Sequence, residues 1–216
     1  MNSLPVWMWS RASSALSQEF AVGSITVRQA IQILRNEGLL VPEQGRGTFV
    51  RGKPPVHPRM QVATSLSRLA DLYRKLAPRV IPLNEGRGMP RIDPGEGEPA
   101  PNYRFLRRIH AGEHQLNSVI SAYLDERIFK LAPGRFRREL IIPVLMDLKS
   151  VKVASARQTL TISTAGAETA QALNISVTAP VAELRRVFCA PGGIVIYVAE
   201  LAYRGDFIRL DMDLLD

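Results

Sequence analysis

Residues 24–50 of the chain read SITVRQAIQILRNEGLLVPEQGRGTFV, and this stretch decides the fold that we expect for the N-terminal part. Apolar side chains recur at positions i, i+3, i+4 and i+7 of its first half, namely at Val27, Ala30, Ile31 and Leu34. This spacing predicts a helix with these residues on one face. Ser24 can accept free amide hydrogens at the start of that helix, and Gly38 lies where a left-handed residue often ends one.

Two short β-prone runs follow the helix and surround a glycine-rich tip. The first run is LLVPE, the second is Thr48-Phe49-Val50, and the tip is Gln44-Gly45-Arg46-Gly47. Runs of this kind on either side of glycine predict a hairpin. Because glycine lets the tip approach another backbone closely, the hairpin presents the side chain of Arg46 outward.

A helix with a polar, cationic face followed by a hairpin with an arginine tip is typical of a winged helix. In such a domain the helix lies in the major groove of DNA, and the wing contacts phosphate or the minor groove. The same order of elements also occurs in α+β domains that bind no DNA. The candidate DNA-binding residues are Ser24, Thr26, Arg28, Gln29 and Gln32 of the helix and Gln44, Gly45, Arg46, Gly47 and Thr48 of the hairpin.

The whole stretch closely resembles the winged helix-turn-helix of the GntR family of bacterial transcription regulators. The matching strings are Thr26-Val27-Arg28, Glu37-Gly38-Leu39 and the run from Gln44 to Val50. The resemblance implies that residues 12–20 form the first helix of the motif and residues 21–23 its turn. Ser24 stands where the family usually has a cation. Since only about ten residues remain for the helix that usually precedes the motif, we expect a shortened N-terminus that lacks this helix.

Charge and length are consistent with a nucleic-acid partner. The chain has 216 residues, which predicts one or two domains, and its net charge of +8 favours an anionic partner. Residues 1–60 carry a net charge of +4, whereas residues 101–216, nearly twice as many, carry +3. Positive charge is therefore densest around the expected DNA reader.

Several classes of protein are disfavoured by composition. Cys189 is the single cysteine, which excludes an internal disulfide framework and a site of several thiolates. No stretch approaches the ~20 apolar residues of a transmembrane helix, and the N-terminus lacks the pattern of a signal peptide. We therefore expect a cytoplasmic protein without a membrane partner, a metal or a cofactor.

Composition also divides the chain into domains. Residues 51–61, RGKPPVHPRMQ, are rich in proline and predict a semi-rigid linker, which we place at 53–63. The DNA-binding domain then spans 1–52 and a second domain spans 64–216. Residues 64–77 have helical spacing, and residues 82–101, rich in glycine, proline and charge, predict a loop.

From residue 102 onward the pattern becomes mainly that of strands. The candidate strands are YRFLRRIH, LNSVISAYL, ASARQTLTIST, VAELRRVF and IVIYVAELAYR, with a hairpin turn at residues 190–193 between the last two. Helices are expected at 126–131, at 136–148 and at AGAETAQAL, which Asn174 can terminate. Strands with inserted helices predict an α+β domain with an antiparallel sheet.

This half resembles the effector-binding UTRA domain of the HutC branch of the same family. The residues that carry the resemblance are Tyr123, residues 156–158, residues 165–177 and the run Ala199 to Asp206. The resemblance implies a chorismate-lyase-like fold whose sheet cups a small ligand. The effector-binding candidates are Arg108, Tyr123, Arg157, Glu200 and Tyr203, because arginine can hold a carboxylate or phosphate and tyrosine offers an apolar wall with a polar end. Arg157 could instead pair with a neighbouring acid, and the tyrosines could belong to the core.

Catalytic patterns are weak. His110, Glu113 and His114 spell His-Xaa-Xaa-Glu-His, but the zinc chemistry of that motif needs both histidines on one helical face, and here the flanks predict strands. No Gly-Xaa-Ser-Xaa-Gly nucleophile elbow is present. We therefore expect no catalytic residues and a regulator, most simply a repressor, that binds operator DNA as a homodimer and senses a small-molecule effector. The alternative is a ligand-binding or chorismate-lyase-like enzymatic domain with a degenerate DNA-binding region that does not bind DNA.

Overall fold

The computed structural model describes residues 13–36, 39–43, 47–50, 60–112 and 115–211. The chain divides into two compact units, residues 1–58 and 59–216. The predicted helix stop at Gly38 and the wing tip at 44–46 lie outside the described residues.

The N-terminal unit has the element order of a winged helix-turn-helix. Its elements are α1 (Ser13–Glu19), α2 (Ser24–Asn36), β1 (Leu40–Glu43) and β2 (Gly47–Val50). Between the helices Ala21 has a φ of 50°, the left-handed conformation that turns the chain sharply. Strands β1 and β2 pair antiparallel, with Leu40 opposite Val50 and Glu43 opposite Gly47, so the predicted hairpin is confirmed.

The apolar face of α2 is buried only in part. Val27 is buried and Ile31 is half-buried, whereas Ala30 and Leu34 are exposed. A helix buries its apolar face only where another element covers it. Among the described residues, little covers the C-terminal half of α2.

The C-terminal unit alternates long strands with short helices. In chain order its elements are β3 (Met60–Gln61), α3 (Leu66–Leu76), β4 (Arg79–Arg87), β5 (Glu98–Pro99), β6 (Tyr103–Ala111), β7 (Leu116–Asp125), α4 (Glu126–Phe129), α5 (Pro133–Arg138), α6 (Ile141–Asp147), β8 (Ser155–Thr164), α7 (Ala167–Leu173), β9 (Pro180–Cys189), β10 (Ile194–Arg204) and β11 (Ile208–Arg209). The main sheet has the strand order β4-β6-β7-β10-β9-β8, and all of these neighbours are antiparallel. The short β5 pairs parallel with β10, and β3 pairs parallel with β11.

The two faces of this sheet are covered differently. Helices α3 to α6 pack on one face, here called the inner face, where their apolar side chains join those of β6, β7, β9 and β10 in one core. Helix α7 packs on the other, outer face through Leu173, which contacts Ile109 and Val119. Because strand residues alternate between faces, each neighbouring pair in a strand is divided between these two environments.

Three sequence expectations about the C-terminal unit need correction. The helix expected at 136–148 is two helices, α5 and α6, because Glu139 is extended and Pro143 is tolerated only in the first turn of a new helix. Residues 82–87 of the expected loop belong to β4, an edge strand in which Pro82 costs few hydrogen bonds. The linker was expected to extend to residue 63, but residues 60 and 61 form β3.

Candidate functional sites

The polar residues of α2 form the first candidate site, a DNA-reading surface. Ser24, Thr26, Arg28, Gln29 and Gln32 are all exposed, while Val27 is buried. Helix α2 begins at Ser24, and the amide of Val27 donates to the Gly23 carbonyl at 3.2 Å, so Gly23 is the residue that precedes the helix. The Gln32 side-chain amide donates to the Asn36 side-chain oxygen at 2.8 Å, one turn further along the helix. The exposed face therefore offers hydroxyl, amide and guanidinium groups together, which are the groups that read base edges.

The wing is described only in part. Gly47 begins β2, opposite Glu43, and Thr48 lies opposite Pro42. Gln44, Gly45 and Arg46, expected to contact DNA from the tip, lie outside the described residues. Their role stays a prediction.

Two of the five expected effector residues are deeply buried on the inner face. The guanidinium of Arg108 donates from one nitrogen to the backbone carbonyls of Phe136 and Glu139, both at 3.0 Å. The hydroxyl of Tyr203 lies 2.7 Å from that of Tyr73 on α3. Arg108 thus joins the sheet to the end of α5, and Tyr203 joins it to α3.

Tyr123 and Glu200 lie on the outer face. Tyr123 packs on Phe105, with ring centroids 5.0 Å apart. Glu200 accepts a hydrogen bond from Arg185 at 2.9 Å. The five residues therefore do not converge on one pocket, and alternation along β10 alone separates Glu200 from Tyr203.

A cavity of about 360 Å³ opens beside the start of α3, at the edge of the inner face. Its wall includes the segment Val62 to Leu66, and Gln158 of β8 and Arg186 of β9 also line it. Arg157 borders the cavity, but because it alternates with Gln158 along β8 its side chain is directed to the outer face. The first-turn amides of a helix have no acceptor within the helix, and they carry a partial positive charge. Ser65 accepts from the amide of Arg68 at 3.3 Å, which begins α3 at this wall.

Arg186 gives this cavity its distinctive chemistry. Its side chain is fully buried, with 1% of its surface exposed. It donates to the Gln158 side-chain oxygen at 2.7 Å and to the Tyr73 hydroxyl at 2.6 Å. Among the described residues no carboxylate forms an ion pair with it. Such a buried, unneutralised cation is expensive unless an anion compensates it.

Tyr197 and Tyr203, which lie near Arg186, do not supply that anion. Burial raises the pKa of Tyr203 well above its ordinary value and raises the pKa of Tyr197 to about 12. Both phenols are therefore neutral at physiological pH. The guanidinium also lies over the Tyr73 ring, 5.6 Å from its centroid, which is a favourable but weak contact.

His110, the first histidine of the His-Xaa-Xaa-Glu-His string, is a further buried polar group on the inner face. Its ring meets that of Tyr73 edge-on, with centroids 6.4 Å apart. Burial, with the charges of Arg108 and Arg186, lowers its pKa well below the usual value. It is therefore neutral, and its Nε2 has no hydrogen-bond partner among the described residues. It lies in β6, so the helical arrangement of a zinc-protease motif is absent at this position.

A second cavity, of about 490 Å³, lies on the outer face. Its floor is one row of polar residues across five strands, Arg107, Ser121, Glu200, Arg185 and Thr159. Here the cations have partners: Arg107 pairs with Glu168, and Arg185 pairs with Glu96 and Glu200. The pairing with Arg185 holds the pKa of Glu96 below its ordinary value. Because the charges of this cavity neutralise each other, it favours a charged ligand less strongly than the cavity beside α3 does.

Two further kinds of feature are absent from the described residues. No group of three or more His, Cys, Asp or Glu side chains there is placed to hold a metal ion. No helix in the same residues is both long and apolar enough to span a membrane.

Comparison with known proteins gives matches to both units. Residues 12–50 match the profile of bacterial regulatory proteins of the gntR family, and residues 98–209 match that of the UTRA domain. The HTH-type transcriptional repressor NagR of Bacillus subtilis (strain 168) is 30% identical over 196 residues, covering 88% of this chain and 79% of the relative.

Solved structures agree at the level of the fold. PhnF from Mycobacterium smegmatis is 16% identical, with a TM-score of 0.58 over 98% of this chain and 94% of PhnF. The effector domain of the same protein, 13% identical, has a TM-score of 0.58 over 72% of this chain and 99% of that domain. The chain therefore belongs to the gntR family of bacterial regulatory proteins and is a transcription regulator with a UTRA domain.

Proposed function

We propose that this regulator binds operator DNA through α2 and the wing, and that a small anionic metabolite in the cavity beside α3 controls the binding. It acts as a homodimeric repressor in the cytoplasm. The DNA-binding domain spans residues 1–52, and the effector domain begins at β3. The cavity with its unneutralised Arg186 is the observation that carries the effector part of the proposal.

The exposed face of α2 supports the DNA-binding part. Arg28 and Gln29 are adjacent and exposed, and Gln29 lies on the side of the helix opposite the buried Val27. Arginine and glutamine can each form two hydrogen bonds with one base, to guanine and adenine respectively. A helix that presents both can therefore read sequence and not only phosphate. The repressor mode is supported by the similarity to NagR, which is a transcriptional repressor.

The chemistry of the cavity supports an anionic effector. Arg186 and the first turn of α3 place positive charge on different sides of the same space. A carboxylate or phosphate there would accept charge-assisted hydrogen bonds, which are about twice as strong as neutral ones. It would also compensate a charge that the described residues leave unneutralised.

The position of the cavity wall supports control of DNA binding. The segment Val62 to Leu66 follows β3 directly, and β3 follows the residues that connect the two units. β3 is held by the C-terminal strand β11, since the amide of Met60 donates to the Phe207 carbonyl at 2.7 Å and that of Val62 to the Arg209 carbonyl at 2.8 Å. A ligand on this wall therefore contacts the chain close to the connection. It regulates only if it binds the DNA-bound and free forms with different affinity.

The first experiment identifies the operator and then the effector. Duplexes that bind the full chain are selected from a random pool, and thermal unfolding is measured with inorganic phosphate and a panel of sugar phosphates and dicarboxylates. A metabolite that fits raises the unfolding temperature as mass action requires and releases the selected duplex.

Two arginine variants test the position of the effector site. Arg186→Met, in the wall of the cavity beside α3, weakens binding of the metabolite, whereas Arg107→Ala, on the outer face, leaves its affinity unchanged. The reverse result places the effector in the outer cavity. If no duplex is enriched, the DNA-binding part of the proposal is wrong.

A further inference from the structure

Strand β8 is an open edge of the main sheet. It pairs with β9 on one side in an unbroken register, from Ser155 opposite Cys189 to Thr164 opposite Pro180. On its other side no strand lies among the described residues. Most of its residues are exposed. An edge of this length presents a row of unpaired backbone donors and acceptors to any strand that approaches.

The opposite edge, β4, is protected in ways that β8 is not. β4 contains Pro82 and an irregularity of register between Pro82 and Asn84. It also carries Glu85, which pairs with Arg104 and Arg137. Proline, bulges and charges are the devices by which natural sheets prevent pairing at an edge. Within β8 there is no proline and no register shift, and Arg157 is its single charged residue.

The side chains of β8 are also suited to a partner strand. Ile162 is 71% exposed although it is large and apolar, and Leu160, two residues earlier on the same face, is half-buried. The seven residues Gln158 to Thr164 carry no charge. Two copies of this segment can therefore lie side by side without opposing like charges.

We propose that β8 pairs antiparallel with β8 of a second copy of this chain, about a two-fold axis at Thr161. This inference rests on the proposed homodimer and names its interface. A two-fold axis normal to the sheet joins the two main sheets into one continuous sheet and closes the assembly at two chains. In an antiparallel pair, directly opposed residues have their side chains on the same face of the sheet. Two opposed residues of β8 are therefore an even number of positions apart, and the two-fold axis passes through a residue and not through a peptide bond. With the axis at Thr161, Ile162 lies opposite Leu160 of the second copy, and this apolar pair occurs twice.

Crosslinking tests the axis directly. In an antiparallel pair, the Cα atoms of opposed residues lie about 4.5–5.5 Å apart, within the range that a disulfide spans. Thr161→Cys in the full chain gives a covalent dimer on mild oxidation, while Leu83→Cys, an exposed position on the β4 edge, does not. The native Cys189 is buried and is present in both variants, so any crosslinking through it would appear equally in both.

A charge variant tests the contribution of the interface. Ile162→Lys weakens dimerisation at least about tenfold in sedimentation equilibrium, because it removes both Ile162–Leu160 pairs and places a charge at the edge. Leu83→Lys is the matched control and leaves dimerisation unchanged. At protein concentrations too low for dimerisation, both variants keep the unfolding temperature of the unmodified chain, because both side chains are exposed.

The outcomes separate this inference from the proposed function. A dimer that neither crosslinks through Thr161→Cys nor weakens with Ile162→Lys overturns the β8 interface and leaves the dimeric regulator standing. A chain that is monomeric at all concentrations overturns both the interface and the homodimer. Selective binding of duplex DNA, measured independently, reports on the rest of the proposed function.

Discussion

Replacing Arg186 with methionine tests the proposed effector site most directly. The variant keeps a long, flexible side chain of similar length but removes the charge and both donated hydrogen bonds. The Tyr73 hydroxyl retains its contact with Tyr203 at 2.7 Å, and Gln158 lines the cavity, where water can reach its side-chain oxygen. The substitution therefore leaves few buried polar groups without partners.

Two opposing effects decide the stability of the Arg186→Met protein without ligand. The lost hydrogen bonds from a charged donor stabilise the native protein by about 1.5–3 kcal/mol each. The burial of an ion without a counter-ion costs several kcal/mol. Since these terms nearly cancel, we expect the free energy of unfolding to change by less than about 2 kcal/mol.

The affinity for the metabolite responds differently. In the Arg186→Met protein, an anion bound in the cavity lacks at least one charge-assisted hydrogen bond, which contributes about 1.5–3 kcal/mol. This loss corresponds to about 10- to 150-fold weaker binding. Calorimetric titration measures the affinity, and denaturant unfolding measures the stability of the same preparation. Unchanged affinity refutes the assignment of Arg186 to the effector. A loss of stability above about 4 kcal/mol shows instead that Arg186 is mainly a structural residue.

Three further predictions concern other parts of the molecule. Arg28→Ala should relax the preference for one base pair of the selected operator and cost ~1–3 kcal/mol, and equal weakening of all duplexes would show a phosphate contact instead. His110 has a depressed pKa when folded, so as pH falls below about 6.5 the unfolded chain binds a proton first and stability declines by up to ~1.4 kcal/mol per pH unit. His110→Leu should flatten this decline between pH 7 and 5 in denaturant unfolding, and an unchanged slope would contradict it. Asn174 ends α7 with a φ of 51°, so Asn174→Ala should destabilise by about 1 kcal/mol and Asn174→Gly by less, and equal unfolding temperatures would refute this explanation.

Periodicity and turn chemistry predicted most elements of the fold because they are local properties of the chain. The hairpin between β9 and β10 lies at residues 190–193, as Pro191-Gly192-Gly193 predicts, and both glycines have positive φ. Strand β4 was not predictable in the same way. Its proline and glycine predict a loop, yet its backbone is paired with β6 from Arg79 to Arg87. Pairing with another strand overrides local propensity.

The candidate effector site was harder to predict because its residues are brought together by strand alternation and register. Sequence reasoning selected charged residues within apolar strands, and that criterion found Arg157, which borders the cavity but directs its side chain to the outer face. It missed Arg186, although Arg185 and Arg186 are neighbours in an apolar strand and one of the two must face the core. Which arginine does so depends on the register of β9, and the sequence alone does not define it.

The two buried arginines of the inner face show why burial alone does not identify a ligand site. Arg108 is as deeply buried as Arg186, and burial lowers its pKa, but it donates to two carbonyls that end α5. Those carbonyls cannot pair within the helix, so Arg108 satisfies backbone groups that would otherwise be buried without partners. Arg186 donates only to side chains of the cavity wall and the core, and it lines the cavity. A ligand can therefore compete for Arg186 without disrupting a helix, whereas engaging Arg108 would require α5 to move.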